Sequence, residues 1–495
     1  MPPKPLPWAD RPEYVQIDTG PGSHAAAPAT TVSVQEAALG TKLPDSLNGL
    51  SFEADVLTEG LLDPENSNIA QTLSYLGSPV LRFGGNTVDR RFFWTSTDEP
   101  LPHWSVPAEE GVAKVTPVDL ERLKRLAGAT SAKVIVSADL GHHEPARAAD
   151  FAVHAKHILG SSLLGISIGN EPNGYVNSDD YLGIRDKSYN FQSYASEYRP
   201  MVDAILKAAP GIRIIGPDVY AQKWLTDFAS LDVPNLGALA YHNYPLSACS
   251  SGDTGPAVPS VANAMSAAMA AHVLENGGAV NDIGRGAGVP VWLTETNLSS
   301  CFGGNAVTEK HLDSLWAVNY SLGAASEGTS QVDWHGALQN CEGSPPASPL
   351  CDQGRHQQPQ DALAMKPLYY GMMLVNNIAP GGFQKVATFG GENVHAYAVR
   401  QSARKLSVIL INENDPARFG QSAVTVKLPA KARTGTMSQL TGPDLRAEKA
   451  TRIDGQESAG VPVDYRARIP GFKTGSSTLK LPITAGTATV LDFSF

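Results

Sequence analysis

The chain has 495 residues, 42% hydrophobic and 18% charged, an ordinary globular balance and too long for one small domain. Its 49 acidic against 38 basic residues give a net charge of −11, which removes the general attraction for phosphates that nucleic-acid binding requires. No apolar run reaches the roughly 18 residues that a membrane-spanning helix needs.

Residues 1–28 are rich in Pro and Ala and read as an extended lead-in. Met1-Pro2-Pro3-Lys4-Pro5 lacks an apolar signal core, so the protein is expected to be cytoplasmic, or secreted or periplasmic with its signal removed. Residues 30–35 alternate apolar and polar and predict a strand that pairs with a later β domain. From residue 49 strands and helices alternate. Strands are expected at 50–54, 80–83, 133–137, 163–168, 212–215, 239–242, 289–295 and 331–334. Helical spacing is expected at 119–128, 147–159, 191–208, 258–275 and 308–325, with Thr308 placed to cap the last. A further helix near 362–377 would close the set. Eight strands with intervening helices predict an α/β fold, a (β/α)8 TIM barrel. Beyond residue 380 only short strands and turns recur, at 394–399, 406–411, 424–428, 479–483 and 487–493, which predicts a C-terminal β-sandwich. The expected organisation is a joining strand in 1–45, a barrel over 46–378 and a sandwich over 379–495.

Four cysteines allow three pairings. Cys341 and Cys351 close a short loop rich in Pro, Gly and Ser and are the favoured pair. Cys249 and Cys301 each follow a barrel strand and could pair across the top face; free buried thiols are the alternative. Their spacing does not suggest zinc.

Two strands carry the chemistry. Ile166 and Ile168 lead into Gly169-Asn170-Glu171-Pro172-Asn173, and Val291-Trp292-Leu293 leads into Thr294-Glu295-Thr296. Each sets a carboxylate at the carboxyl end of an apolar strand, the end of a parallel barrel where active sites form. Two such carboxylates are what glycosidic bond cleavage needs. Glu171 is the candidate acid/base, because Asn170 beside it can hold a sugar 2-OH or the nucleophile. Glu295 is the candidate nucleophile.

Asn170-Glu171-Pro172 after the fourth strand and Glu295 ending the seventh resemble the clan A retaining glycosidases built on this barrel. Leu81-Arg82-Phe83-Gly84-Gly85, Gly169 to Asn173, Gly216-Pro217-Asp218-Val219, and Thr294-Glu295-Thr296 followed by Gly303-Gly304 resemble, in order, segments of glycoside hydrolase family 79, the β-glucuronidases and heparanases. The resemblance covers about residues 50–305. It implies that Asn170 contacts the 2-OH and that backbone N–H groups of Gly303 and Gly304 receive the glucuronate carboxylate. A Gly-Gly turn can do this, since the main chain approaches closely and binds an anion as a nest. Asn86 stands where the family touches the glycone. His242 and Tyr244 resemble the strand-six segment of the clan, where a tyrosine hydrogen-bonds the nucleophile and keeps it ionised. Glu53 faces the same cleft if the register holds, as a sugar 4-OH ligand or an ion-pair partner. Tyr244 and Trp334 are candidates for an aromatic wall, with core packing the alternative.

The implied activity is that of a retaining exo-β-glucuronidase acting on a glucuronic-acid-containing carbohydrate, with no cofactor and no metal. The acidic chain lacks a dense basic cluster for a sulfated polymer, which makes endo-acting heparanase activity the runner-up. A carbohydrate-binding protein on an inactive scaffold is a third reading, and the presence of both glutamates argues against it.

Overall fold

The computed structural model describes residues 6–16, 25–104, 111–176, 183–301, 305–341, 348–391, 393–456 and 466–495. Eight parallel strands close into a barrel, with the last pairing the first. In chain order they are Asn48–Glu53, Val80–Gly84, Lys133–Ala138, Leu163–Ile168, Ile214–Val219, Leu236–Asn243, Val291–Thr296 and Gln331–Gly336. Successive side chains on a strand point to opposite faces, so Val80 and Arg82, Ile135 and Ser137, and Ala238, Ala240 and His242 share the interior. The lower interior is apolar, with Val80, Ile135, Ile215, Ala238 and Ala240 packed together. The upper interior is polar, and it is there that the strands end in Asn170, Asp218, His242 and Glu295.

The outward-facing residues pack against the helix ring. Phe191–Ala208 is started by Asn190, whose Oδ1 accepts the N–H groups of Gln192 (2.9 Å) and Ser193 (3.2 Å). Three helical expectations are corrected. The single helix expected over 258–275 is two, Val261–Ala264 and Ala267–Ala287, because Ser266 Oγ accepts from Met269 N–H at 3.0 Å and starts the second afresh. The helix expected from Thr308 is His311–Glu327, because Asn305 Oδ1 takes the N–H groups of Val307 and Thr308, each at 3.0 Å, and holds that stretch as a turn. The segment expected as a helix over 362–377 begins as a strand, Leu363–Met365, paired with Leu350–Asp352, and turns helical only at Pro367.

The remaining chain forms a ten-stranded sheet. The long N-terminal strand Ala25–Leu43 lies third from one edge of it, antiparallel to Gly381–Gly390 and parallel to Phe419–Ala432. The joining strand is therefore part of the sandwich, as the alternation at 30–35 implies. The sheet encloses its own apolar core, with Val32, Val34, Val408, Leu410, Val426, Leu481 and Leu491 among its members. Four strands of the sheet, Gly381–Gly390, Thr434–Thr441, Arg452–Ile453 and Ala467–Arg468, have no counterpart in the sequence reading; the first two are polar and Gly-containing, without a clean period-two pattern, and the last two are only two residues long.

His311–Glu327 joins the two parts. It is buried on nearly every side. His311 Nε2 lies 2.8 Å from Gly486 O, and Tyr397 donates to Asn319 Oδ1 at 2.7 Å. Two disulfides, Cys249–Cys301 and Cys341–Cys351, tie the loops above the barrel. Among the described residues no helix is long and apolar enough to cross a membrane.

Candidate active site

The fourth strand ends at Ile168, and the chain turns through Gly169 (φ 75°) and Asn170 to Glu171 (φ 50°). A left-handed glutamate costs roughly 1–3 kcal/mol and persists only where neighbours over-determine it. Here Glu171 N–H donates to Asp218 O at 2.8 Å, and Glu171 O accepts from Gly174 N–H at 2.8 Å. Pro172, which cannot donate, opens the short turn Pro172–Gly174. The result is a carboxylate lifted off the strand end and facing the barrel axis.

Glu295 projects from the seventh strand beside it. Its Oε1 accepts from the Tyr244 hydroxyl at 2.7 Å and its Oε2 from Arg82 at 2.9 Å. Glu171 Oε1 lies 2.8 Å from His242 Nδ1. Glu171, His242 and Glu295 each contribute an atom within 4.8 Å of the others. One carboxyl oxygen of each glutamate thus lies within 4.8 Å of one on the other, close enough for the two groups to act on a single reacting carbon. Atoms so spaced could also ligate a cation, but His242 already lies against both carboxylates and Arg82 against that of Glu295.

Arg82 is the centre of the buried charge network. It is fully buried and donates to Ser51 Oγ (2.8 Å), Asn170 Oδ1 (2.7 Å) and Glu295, and lies 3.4 Å from Asp218 Oδ1. Asp218 accepts from Thr294 Oγ1 at 2.5 Å and faces His242 Nε2 at 3.2 Å. Burial opposes the Asp218 charge, yet Arg82, His242 and Thr294 together hold its carboxyl far below the usual range. Burial likewise opposes charge on His242, but Glu295, Asp218 and Glu171 outweigh it and raise the imidazole to about 9. Burial also opposes the Glu295 charge, and the combined pull of His242, His335, Arg82 and the Tyr244 hydroxyl keeps this carboxyl well below the ordinary range. Glu53 differs: burial, with Glu295 and Asp55 nearby, raises it despite the opposing pull of His335 and of the Thr87 N–H. At neutral pH, therefore, Glu295 is ionised and His242 is charged.

Most residues singled out in the sequence meet here. Asn170 is clamped between Arg82 and Asn86, whose Oδ1 accepts from Asn170 Nδ2 at 3.4 Å. Glu53 accepts from Thr87 N–H at 2.7 Å and its Oε1 lies 3.8 Å from His335 Nε2. Gly303 and Gly304 lie outside the described residues. Trp334 is a correction. It is fully buried, points outward from the barrel, donates to Asn48 Oδ1 at 2.9 Å and packs edge-on against Trp316. Its place facing the cleft is taken by the next residue, His335, with Nδ1 3.8 Å from Glu295 Oε1.

The sequence reading assigned no role to Arg82, Asp218, Thr294, His335 or Asp89. Arg82 carried a usable signal, since a guanidinium inside the apolar run Val80 to Phe83 has to be paired.

The sequence matches no protein-family model and no curated protein. Solved structures do resemble it. A 4-O-α-L-rhamnosyl-β-D-glucuronidase from Fusarium oxysporum 12S superposes with a TM-score of 0.67 at 18% identity, covering 93% of this chain and 99% of that one. A GH51 arabinofuranosidase from Xanthomonas axonopodis pv. citri gives 0.64 at 13%, covering 95% and 100%. A bifunctional glucanase-xylanase from a metagenome library gives 0.63 at 13%, covering 94% and 99%. At these identities the likeness is one of fold: a TIM barrel with an appended β-sandwich, shared along nearly the whole of each chain.

Proposed function

We propose that the chain is a retaining glycoside hydrolase that removes terminal β-D-glucuronic acid. The observation that carries this reading is the pair Glu171 and Glu295, with carboxyl oxygens within 4.8 Å and unlike surroundings. Glu295 is held ionised by Arg82, the charged His242 and the Tyr244 hydroxyl, as a nucleophile must be. Glu171 is one-fifth exposed, with Oε1 on His242, which leaves Oε2 for the glycosidic oxygen.

In the first step Glu295 attacks the anomeric carbon while Glu171 gives its proton to the departing oxygen, forming a glycosyl ester on Glu295. In the second, Glu171 takes a proton from water, which attacks the same carbon and releases the sugar. Asn170, fixed by Arg82 and Asn86, is placed to hold the 2-OH. Glucuronate is favoured by the Leu81 to Gly85 and Gly303-Gly304 segments, and by the fold shared with a rhamnosyl-glucuronidase. The net charge of −11 favours removal of single terminal units over cutting inside a sulfated polymer. The two disulfides suit an oxidising compartment.

The test is a panel of p-nitrophenyl glycosides. Turnover of the β-glucuronide well above the β-glucoside is expected. The α-L-arabinofuranoside belongs in the panel, because one similar structure is an arabinofuranosidase; preferential turnover there would replace the glucuronide reading. Product sizing on a heparan sulfate oligosaccharide tests exo action, with internal fragments as first products counting against it.

A further inference from the structure

Asp89 lies on the short turn Asn86–Asp89 that follows the second barrel strand, and only 2% of it is exposed. Its Oδ1 accepts the N–H groups of Leu140 (2.9 Å) and Gly141 (3.0 Å), just past the third strand. Its Oδ2 accepts the N–H of Asn170, just past the fourth, at 2.7 Å. One buried carboxylate thus ties together the ends of three consecutive strands. The approach is close: a Cβ on Gly141 would sit 2.1 Å from Asp89 O.

We propose that Asp89 is the positioning residue for the acid/base Glu171, setting where its carboxyl stands relative to the leaving oxygen. This rests on the glycosidase reading above. Asn170 N–H belongs to the residue immediately before Glu171, which is held in a left-handed conformation. On the Asn170 side chain Arg82 and Asn86 fix the amide. On its backbone the Asp89 carboxylate is the anchor, and it faces the peptide whose rotation would swing Glu171. A carboxylate is needed because all three partners are donors, and a carboxylate only accepts. An asparagine in its place keeps one acceptor oxygen and turns an NH2 group toward a donor.

Asp89→Asn separates positioning from folding when assayed on β-glucuronides with leaving groups of graded acidity. A misplaced acid harms leaving groups that need protonation and spares those that do not. The expected result is a fall of about 10- to 100-fold in kcat/KM for an alkyl glucuronide, against less than about threefold for a dinitrophenyl glucuronide. Inhibition by D-glucuronate should be nearly unchanged, which shows an intact pocket. Asp89→Glu, which keeps the charge but moves it, should show the same leaving-group bias. An equal loss across all leaving groups, or no loss, in the soluble folded variant would overturn the proposal. If both variants fail to fold, replacing Asn86 by Ala loosens the side-chain clamp alone and should give the bias only weakly; a bias as large as 10-fold there would assign the positioning to the side chain instead. Absence of turnover by the unaltered protein on every glycoside would sink the glycosidase reading, and this proposal with it.

Discussion

At the top of the barrel Arg82, Asp218, His242 and Glu295 are removed from water and charged; in the sheet Val408, Leu410, Val426 and Leu491 are removed from water and apolar. The sheet gains from burial directly, at roughly 25 cal/mol for each Å² of apolar surface. The barrel top loses solvation for every charge it buries and recovers it only through pairing, each partner within 3.4 Å of another. An ion network of this kind is a poor way to stabilise a fold. It is a good way to keep one carboxylate ionised beside another that exchanges a proton. Changes in the barrel top should therefore fall on turnover, and changes in the sheet on stability alone.

The largest effect is expected at the two glutamates. Glu295→Gln should lower turnover of every substrate by ~10^4-fold or more. Glu171→Ala should cost about 10^2- to 10^4-fold on poor leaving groups and far less on activated aryl glycosides, as steady-state kinetics on both substrate types will show. Near-normal rates for Glu295→Gln would erase the distinction drawn above.

Next comes a matched pair. Arg82→Met strands Asp218 and Glu295 without their buried cation, and should cost about 3–5 kcal/mol in denaturant unfolding as well as most activity. Leu410→Ala, in the sheet core, should cost about 2–5 kcal/mol while leaving kcat within about twofold at a temperature where the variant is folded. A Leu410→Ala variant that is stable but inactive would show that the sheet does more than hold the barrel.

The smallest effect is expected at Tyr244. Removing its hydroxyl takes one donor from the Glu295 carboxylate, which weakens the charged form. Tyr244→Phe should lower kcat/KM by about tenfold. The ionisation of Glu295 should then require higher pH, so the acid limb of the kcat/KM profile moves upward by about one unit. A downward shift would mean that the limb belongs to another group.

The architecture was legible because strand ends in this fold announce themselves: Ile166 and Ile168 before Asn170-Glu171-Pro172, and Leu293 before Glu295, show both the buried strand and the polar end. The partners of those glutamates were not. Arg82 and Asp218 sit on different strands, and they meet only once eight strands have closed, a register no local pattern contains. At the eighth strand the choice between Trp334 and His335 was a choice of face. Period two sends Asp333 and His335 inward and Trp334 out to Trp316, and an aromatic preference picked the wrong neighbour. Asp89 was invisible for a further reason: its partners are backbone N–H groups, which every sequence has.

In the proposed mechanism Glu295 becomes covalently bonded to the sugar. Incubation with 2,4-dinitrophenyl 2-deoxy-2-fluoro-β-D-glucuronide, followed by intact-mass and peptide mass spectrometry, tests it most directly. One equivalent of fluoroglucuronyl label is expected, carried by the peptide containing Glu295 and absent from Glu295→Gln. A label on a different residue, or unlabelled protein that hydrolyses ordinary glucuronides with inversion at the anomeric carbon, would contradict it.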